Sequence, residues 1–225
     1  MRIDLARNVH SRARLPLMVR LVLLAVPALA WPGTSAAQPA EKAFTGLYAG
    51  AEAGSLNVIG GALVNGVDTL AQDRRGAVTF LAGGRYQFAS RLVLGIEFGA
   101  GWEDGGLRLD DGTSGARVEY ANDTHTRLGG TVGVALGSAR RTHVFAYLSE
   151  LSRSYDVTLT LAGAVTTQQD DQGLLRYGGG VEQRIAPRLT LRVTAGSSRA
   201  DFGGRTTNIT PTRPLEVAAG LLVRF

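Results

Sequence analysis

The sequence predicts an all-β chain: an eight-stranded antiparallel transmembrane β-barrel with short periplasmic turns and long extracellular loops. Three observations predict it. Successive segments put apolar residues on one strand face and glycines with single charges on the other. The links between them alternate short and long. The last segment, LEVAAGLLVRF, reads as a strand up to Phe225, where chain ends are usually polar and frayed.

The clearest segment is SRLVLGIEFGAGW. Leu92, Leu94, Ile96, Phe98, Ala100 and Trp102 share one face, and Arg91, Val93, Gly95, Glu97, Gly99 and Gly101 share the other. A soluble sandwich also alternates, but its outer face carries Thr, Lys, Gln or Ser. Glycines around one carboxylate suit the crowded interior of a narrow barrel. The pattern recurs from FTGLYAGAEAGS to the C-terminus. Leu47, Ala49, Ala51 and Ala53 point outward, with Tyr48 and Glu52 inward. Val78, Phe80, Ala82 and Tyr86 point outward, with Arg85 inward. Leu128, Val132, Val134 and Leu136 oppose Arg127. Leu175, Tyr177, Val181 and Ile185 oppose Arg176, Glu182 and Arg184. Leu189, Leu191, Val193 and Ala195 oppose Arg192. Val217, Ala219, Leu221, Val223 and Phe225 oppose Glu216 and Arg224. In THVFAYLSELSRSY the alternation is less clean. The expected lipid face holds Phe145, Tyr147 and Leu151 with Ser149 and Arg153, which turns Glu150 inward.

The expected short turns are Phe88–Arg91, Gly137–Arg141 and Ile185–Arg188. The expected long loops are Asn57–Gly76, Glu103–Arg117, Ser154–Gln172 and Ser197–Pro214. Strands of about ten residues and eight in number fit the remaining length.

The first 37 residues read as a secretory signal: an arginine-rich start, the apolar run Leu21–Ala30, then small residues at Ser35 and Ala37. Cleavage is expected after Ala37, leaving residues 38–225 as the barrel domain. The apolar run is too short to cross a bilayer as a helix. Five of the 24 basic residues lie in this segment against one of the 19 acidic ones, so the remainder is nearly neutral. It carries no nucleic-acid footprint. There is no cysteine, hence no disulfide framework and no thiol chemistry.

At the level of motifs, GLYAGAEAG, GGGVEQRIAPRLTLRVTAG and the terminal LLVRF resemble the outer-membrane β-barrel domain family, with its OmpA-type and opacity-type eight-stranded members. The resemblance covers nearly all of the exported chain. It implies that Val217, Ala219, Leu221, Val223 and Phe225 form the signal read by the β-barrel assembly machinery. It also implies a Gram-negative outer-membrane location with lipid and lipopolysaccharide contacts. Where related hairpins often carry a carboxylate after the turn, this chain has Thr194. The stop at Phe225 leaves no cell-wall-binding domain, so OmpA-like anchoring is not expected.

Glu52, Arg85, Glu97, Arg127, Glu150, Arg176, Glu182, Arg192 and Arg224 are therefore expected to pair inside the barrel. Eight strands leave room for side chains but little for a channel, and buried charges require partners. Ion conduction is the alternative reading. A lipid-modifying enzyme is disfavoured: only His125 and His143 remain after the signal, and neither has a serine at dyad distance in sequence. Asp104, Asp110 and Asp111 match no calcium-loop spacing, and no metal or cofactor is expected. Asn122-Asp123-Thr124 and Asn208-Ile209-Thr210 match a glycosylation pattern by chance. The Gly-x-x-x-Gly spacings Gly46/Gly50/Gly54 and Gly129/Gly133/Gly137 keep one strand face rather than one helix face. The likeliest role is a membrane anchor whose outer loops meet a surface or host ligand, as a monomer.

A closed barrel resists SDS at room temperature. The outer-membrane fraction is expected to give a band that shifts on boiling. A single unshifted band in the soluble periplasm would mean a secreted sandwich instead.

Overall fold

The computed structural model describes residues 43–64, 67–111, 115–137, 140–200 and 215–225. The expected signal segment and its cleavage site lie outside them, as do most of the loop before the last strand and Asn208–Thr210.

Nine strand segments form one antiparallel sheet: β1 Gly46–Val64, β2 Val67–Gln87, β3 Leu92–Glu103, β4 Leu107–Asp111, β5 Ala116–Leu136, β6 Thr142–Leu161, β7 Ala164–Arg184, β8 Leu189–Ala200 and β9 Glu216–Arg224. β9 pairs with both β8 and β1, and β3 pairs with β2 and β5, so the sheet closes on itself. β4 continues the line of β3 along β5 after a break at Asp104–Gly106, where Gly105 takes φ +90°. The ring therefore has eight staves.

Closure fixes the barrel's shape. Gly54 pairs with Ala218. Following the ladder through Thr194, Gly180, Phe145, Gly133 and Val93 leads to Gln87, which lies beside Phe44 on the first stave. One circuit thus descends ten residues, from 54 to 44. With eight staves that stagger tilts the strands by about 40–45°. The outward run from Leu92 to Trp102 then covers about 24 Å of height, the apolar thickness of such a barrel. Tyr86, Phe88 and Phe225 lie at its lower border and Trp102 at its upper one, all exposed.

Two expectations are corrected. First, the long links are largely strand. β1 and β2 zip to Val64↔Val67, and β6 and β7 zip to Leu161↔Ala164 around the tight turn at Ala162 and Gly163. β4 and β5 take up the link after β3. Strands of 19 to 21 residues are twice what a bilayer needs. Lipid patterning marks where the bilayer stops, whereas the hydrogen-bond ladder continues as long as β-prone Val, Thr and Leu can pair.

Second, β6 is turned over. Phe145, Tyr147, Ser149, Leu151 and Arg153 are buried in the lumen, while Val144, Ala146, Leu148 and Glu150 point out. The rings fit because the neighbouring staves carry glycine there. Tyr147 lies against Gly178 and Gly196, and Phe145 against Gly180. A side chain at any of these three glycines would strike an aromatic ring.

Ile96, 61% exposed at the centre of the belt, tests the lipid assignment. Ile96→Arg is expected to lower stability by about 2–4 kcal/mol and Leu92→Arg, at the lower border, by about 0–1 kcal/mol. Urea titrations in lipid vesicles read both. Equal effects would contradict the depth order.

Candidate functional site

The lumen is filled by a chain of ion pairs stacked from the lower mouth upward. Phe44 closes the bottom. Its N–H donates to Gln87 Oε1 at 3.0 Å, and its ring meets the His143 ring at 5.0 Å. Above it, Arg85 binds Glu182 and lies over the Tyr48 ring at 3.9 Å, while His143 Nδ1 is 3.1 Å from Glu182.

Mid-barrel, Glu97 receives Arg192 and Arg127, the latter at 2.8 Å, and accepts from the Tyr48 hydroxyl at 2.8 Å. Arg127 also binds Glu52 at 2.6 Å. Arg192 is 3.9 Å from Glu52 and 3.9 Å from Glu182, which links this layer to the one below. Higher still, Arg176 binds Glu216 at 2.8 Å, and Ser198 donates to the same carboxylate at 2.7 Å. Arg153 binds Glu103 at 2.7 Å and donates to the Asn57 carbonyl at 3.0 Å. Each carboxylate here meets at least one guanidinium, the condition under which buried charge is tolerated.

The structure thus brings Glu52, Arg85, Glu97, Arg127, Glu182 and Arg192 into one network, with Arg176 paired to Glu216 above it. Arg224 stands at the lower rim, donating to the Ala43 and Pro187 carbonyls. Glu150 is a correction: it lies on the outer surface between Leu128 and Leu175, near the upper border of the belt. Arg75, Glu103 and Arg153 also belong to the buried charges: Arg75 and Glu103 sit in segments that read as loop from sequence, and Arg153 lies on the face of β6 that the sequence assigns to lipid.

His125, Thr79 and Glu103 form an arrangement that sequence spacing does not show. Thr79 Oγ1 is 2.9 Å from His125 Nε2, and Glu103 is 3.5 Å from His125 Nδ1. The geometry is that of a nucleophile, base and orienting acid. All three are buried, however, and Glu103 is already held by Arg153. Two internal voids, around Arg127 and around Phe44, are each about 10 Å³, room for about one water.

Above the belt the staves carry their own apolar cluster: Leu107, Val118, Tyr120, Tyr155 and Val157, backed by Leu109 and Leu159. Tyr120 and Tyr155 meet edge to face at 5.4 Å. Burial, followed by the nearby Asp170, raises the Tyr155 hydroxyl well above its usual range. At the edge of this platform Asp110 is bridged by Arg117 and Arg108, each at 2.8 Å, and the hydrogen bond from Arg117 leads in holding its carboxyl below the usual range.

A closed eight-stave ring with an apolar exterior and a charged, filled lumen defines an outer-membrane barrel. The chain belongs to the outer membrane protein beta-barrel domain family, which it matches over residues 23–225. Among solved structures it is similar to neisserial surface protein A (TM-score 0.44, 15% identity), the comparison covering 80% of this chain and 98% of that one. It is also similar to Ail, the attachment invasion locus protein of Yersinia pestis (TM-score 0.43, 12% identity, 80% and 99% covered). The N-terminal β-barrel domain of Pseudomonas aeruginosa OprF gives TM-score 0.36 at 8% identity, with 80% and 98% covered. No curated protein matches the chain.

Removing the central carboxylate takes an ion-pair partner from two buried guanidinium groups, Arg192 and Arg127. Glu97→Gln is expected to cost about 3–5 kcal/mol in a refolding titration, and Arg192→Gln on top of it to add less than it costs alone. Glu150→Gln is expected to change stability by no more than about 0.5 kcal/mol. The reverse ranking would mean that the lumen network is not the stabilising element.

Proposed function

We propose that this protein is a rigid membrane anchor that presents a folded β platform to the exterior, where it meets a surface or host ligand. The observation that carries the reading is the contrast between the two halves. The membrane half is filled with ion pairs, and its voids around Arg127 and Phe44 are water-sized. The outer half keeps its strands paired well beyond the belt around an apolar cluster of its own. Binding surfaces favour segments held by a scaffold in this way.

In this reading residues 1–37 are a signal peptide cleaved after Ala37. The alternation Val217, Ala219, Leu221, Val223, Phe225 on β9 is the segment that the β-barrel assembly machinery reads, and β9 is the stave that closes the ring. The protein acts as a monomer without metal or cofactor, in contact with outer-membrane lipid and lipopolysaccharide, and is not an enzyme. The filled lumen weighs against the channel alternative.

Two measurements test this. The purified barrel is expected to give no single-channel steps in planar bilayers; regular conductance steps would favour the channel. The chain has no cysteine, so single cysteines report sidedness cleanly. Ala162→Cys, at the β6–β7 tip, is expected to react with a membrane-impermeant maleimide on intact cells, and Pro187→Cys, in a short turn, only after lysis. Labelling in the opposite sense would invert the barrel.

A further inference from the structure

We infer that the lower rim of the barrel is a cationic collar that binds the headgroups of anionic phospholipids in the adjacent leaflet. This rests on the orientation proposed above. Six arginines gather at this end: Arg91 in the β2–β3 turn, Arg140 and Arg141 before β6, Arg184 and Arg188 about the β7–β8 turn, and Arg224 at the end of β9. The three turn segments 88–91, 137–141 and 185–188 contain no aspartate or glutamate. Glu182, the side-chain carboxylate of β7 just above this rim, faces the lumen and is taken by Arg85 and His143. Arg91, Arg141 and Arg188 are exposed, with no ion pair among the described residues. The opposite end is mixed in sign: Asp110 is shared by Arg108 and Arg117, and Asp73 lies beside Arg74.

Backbone geometry supplies a second, independent observation. Arg91 has φ +71° and Arg140 has φ +47°. Glycine adopts these left-handed conformations readily, whereas a residue with a Cβ adopts them uncommonly. Among the described residues only one other non-glycine, Ala162 at the far end, has positive φ. Two turns thus keep a long cation where glycine would fit with less strain. Strain held at a surface position points to what its side chain does. A solvated turn needs no cation at the strained position.

The surroundings select a lipid as the occupant. Arg91 and Arg188 directly precede Leu92 and Leu189, Arg184 precedes Ile185, and Arg224 precedes Phe225. These four arginines therefore start from the edge of the apolar belt, and Arg91 N–H donates to the Phe88 carbonyl at 3.0 Å, next to the Tyr86–Phe88 pair, whose rings meet edge to face at 4.9 Å. The arginine stem covers apolar surface while the head reaches the headgroup level. The planar guanidinium fork matches two phosphate oxygens at once. Lys42 is the chain's one lysine.

The test uses the folded barrel in nanodiscs of phosphatidylcholine doped with spin-labelled phosphatidylglycerol or spin-labelled phosphatidylcholine. The motionally restricted fraction reads lipid association. The expected association constant for phosphatidylglycerol exceeds that for phosphatidylcholine by about three- to tenfold at low salt and falls toward equality at high salt. The variant Arg91→Gln/Arg141→Gln/Arg188→Gln is expected to lose most of the preference. Arg91→Gly is expected to refold at least as stably as the parent, because glycine suits its backbone, and to show a reduced preference.

Equal association of the parent barrel with both lipids would overturn the collar. So would a preference that survives the triple substitution, or an Arg91→Gly variant that loses stability while keeping its preference. Displacement by dissolved glycerol phosphate would assign the rim to a soluble phosphate ester rather than a membrane surface, and capture of an acidic protein without lipid preference would assign it to a protein. Because nanodiscs expose both rims, a preference found together with reversed cysteine labelling would uphold the collar and reject only the orientation.

Discussion

Everything in this structure depends on β9 pairing with β1. In hydrocarbon no water can satisfy an open strand edge, so a sheet that crosses must close on itself. The pairs Tyr48↔Arg224 through Gly54↔Ala218 complete the ring, and Phe225 N–H donates to the Leu47 carbonyl at its lower end. Once eight staves close with a stagger of ten residues, tilt and lumen width are no longer free. The lumen is then just wide enough for side chains. Large residues on one stave require glycine on the next, as Tyr147 requires Gly178 and Gly196.

The same constraint explains why the lumen is charged. Filling it with aliphatic residues would make each stave apolar on both faces. Such segments would read as continuous hydrophobic runs and would associate before the barrel closed. Alternation with polar residues avoids this, but it buries charge. Burial is tolerated because Glu97, Glu52 and Glu182 are bridged by Arg192, Arg127 and Arg85 from three other staves. The network can form only after the ring has closed, so it makes closure cooperative. It also fills the path that an ion would need.

How much of this was legible in the sequence follows from which contacts set each feature. β3 could be read directly, because lipid on one side and glycine on the other leave no ambiguity between Leu92 and Trp102. β6 was read inside out. Phe145 and Tyr147 are apolar enough for lipid, and what draws them inward is the glycine opposite, Gly180 and Gly178, 35 and 31 residues away in sequence. The length of the outer hairpins was hidden for another reason: above the bilayer no lipid imposes a pattern, and ladder pairing alone decides where strand stops. The Thr79–His125–Glu103 contact needs three staves in register, which periodicity within one segment cannot supply.

The two ends of the barrel differ in the freedom they leave. In the membrane half, lipid fixes the outer face and the ion-pair network fixes the inner one, so nearly every position is constrained twice. Above Trp102 the lipid constraint ends. There the ladder and a cluster around Tyr120 and Tyr155 hold the fold, and outward positions such as Thr158, Thr167 and Gln169 answer to neither lipid nor lumen. Substitutions at such positions on the β platform therefore leave both the belt and the ion-pair network in place.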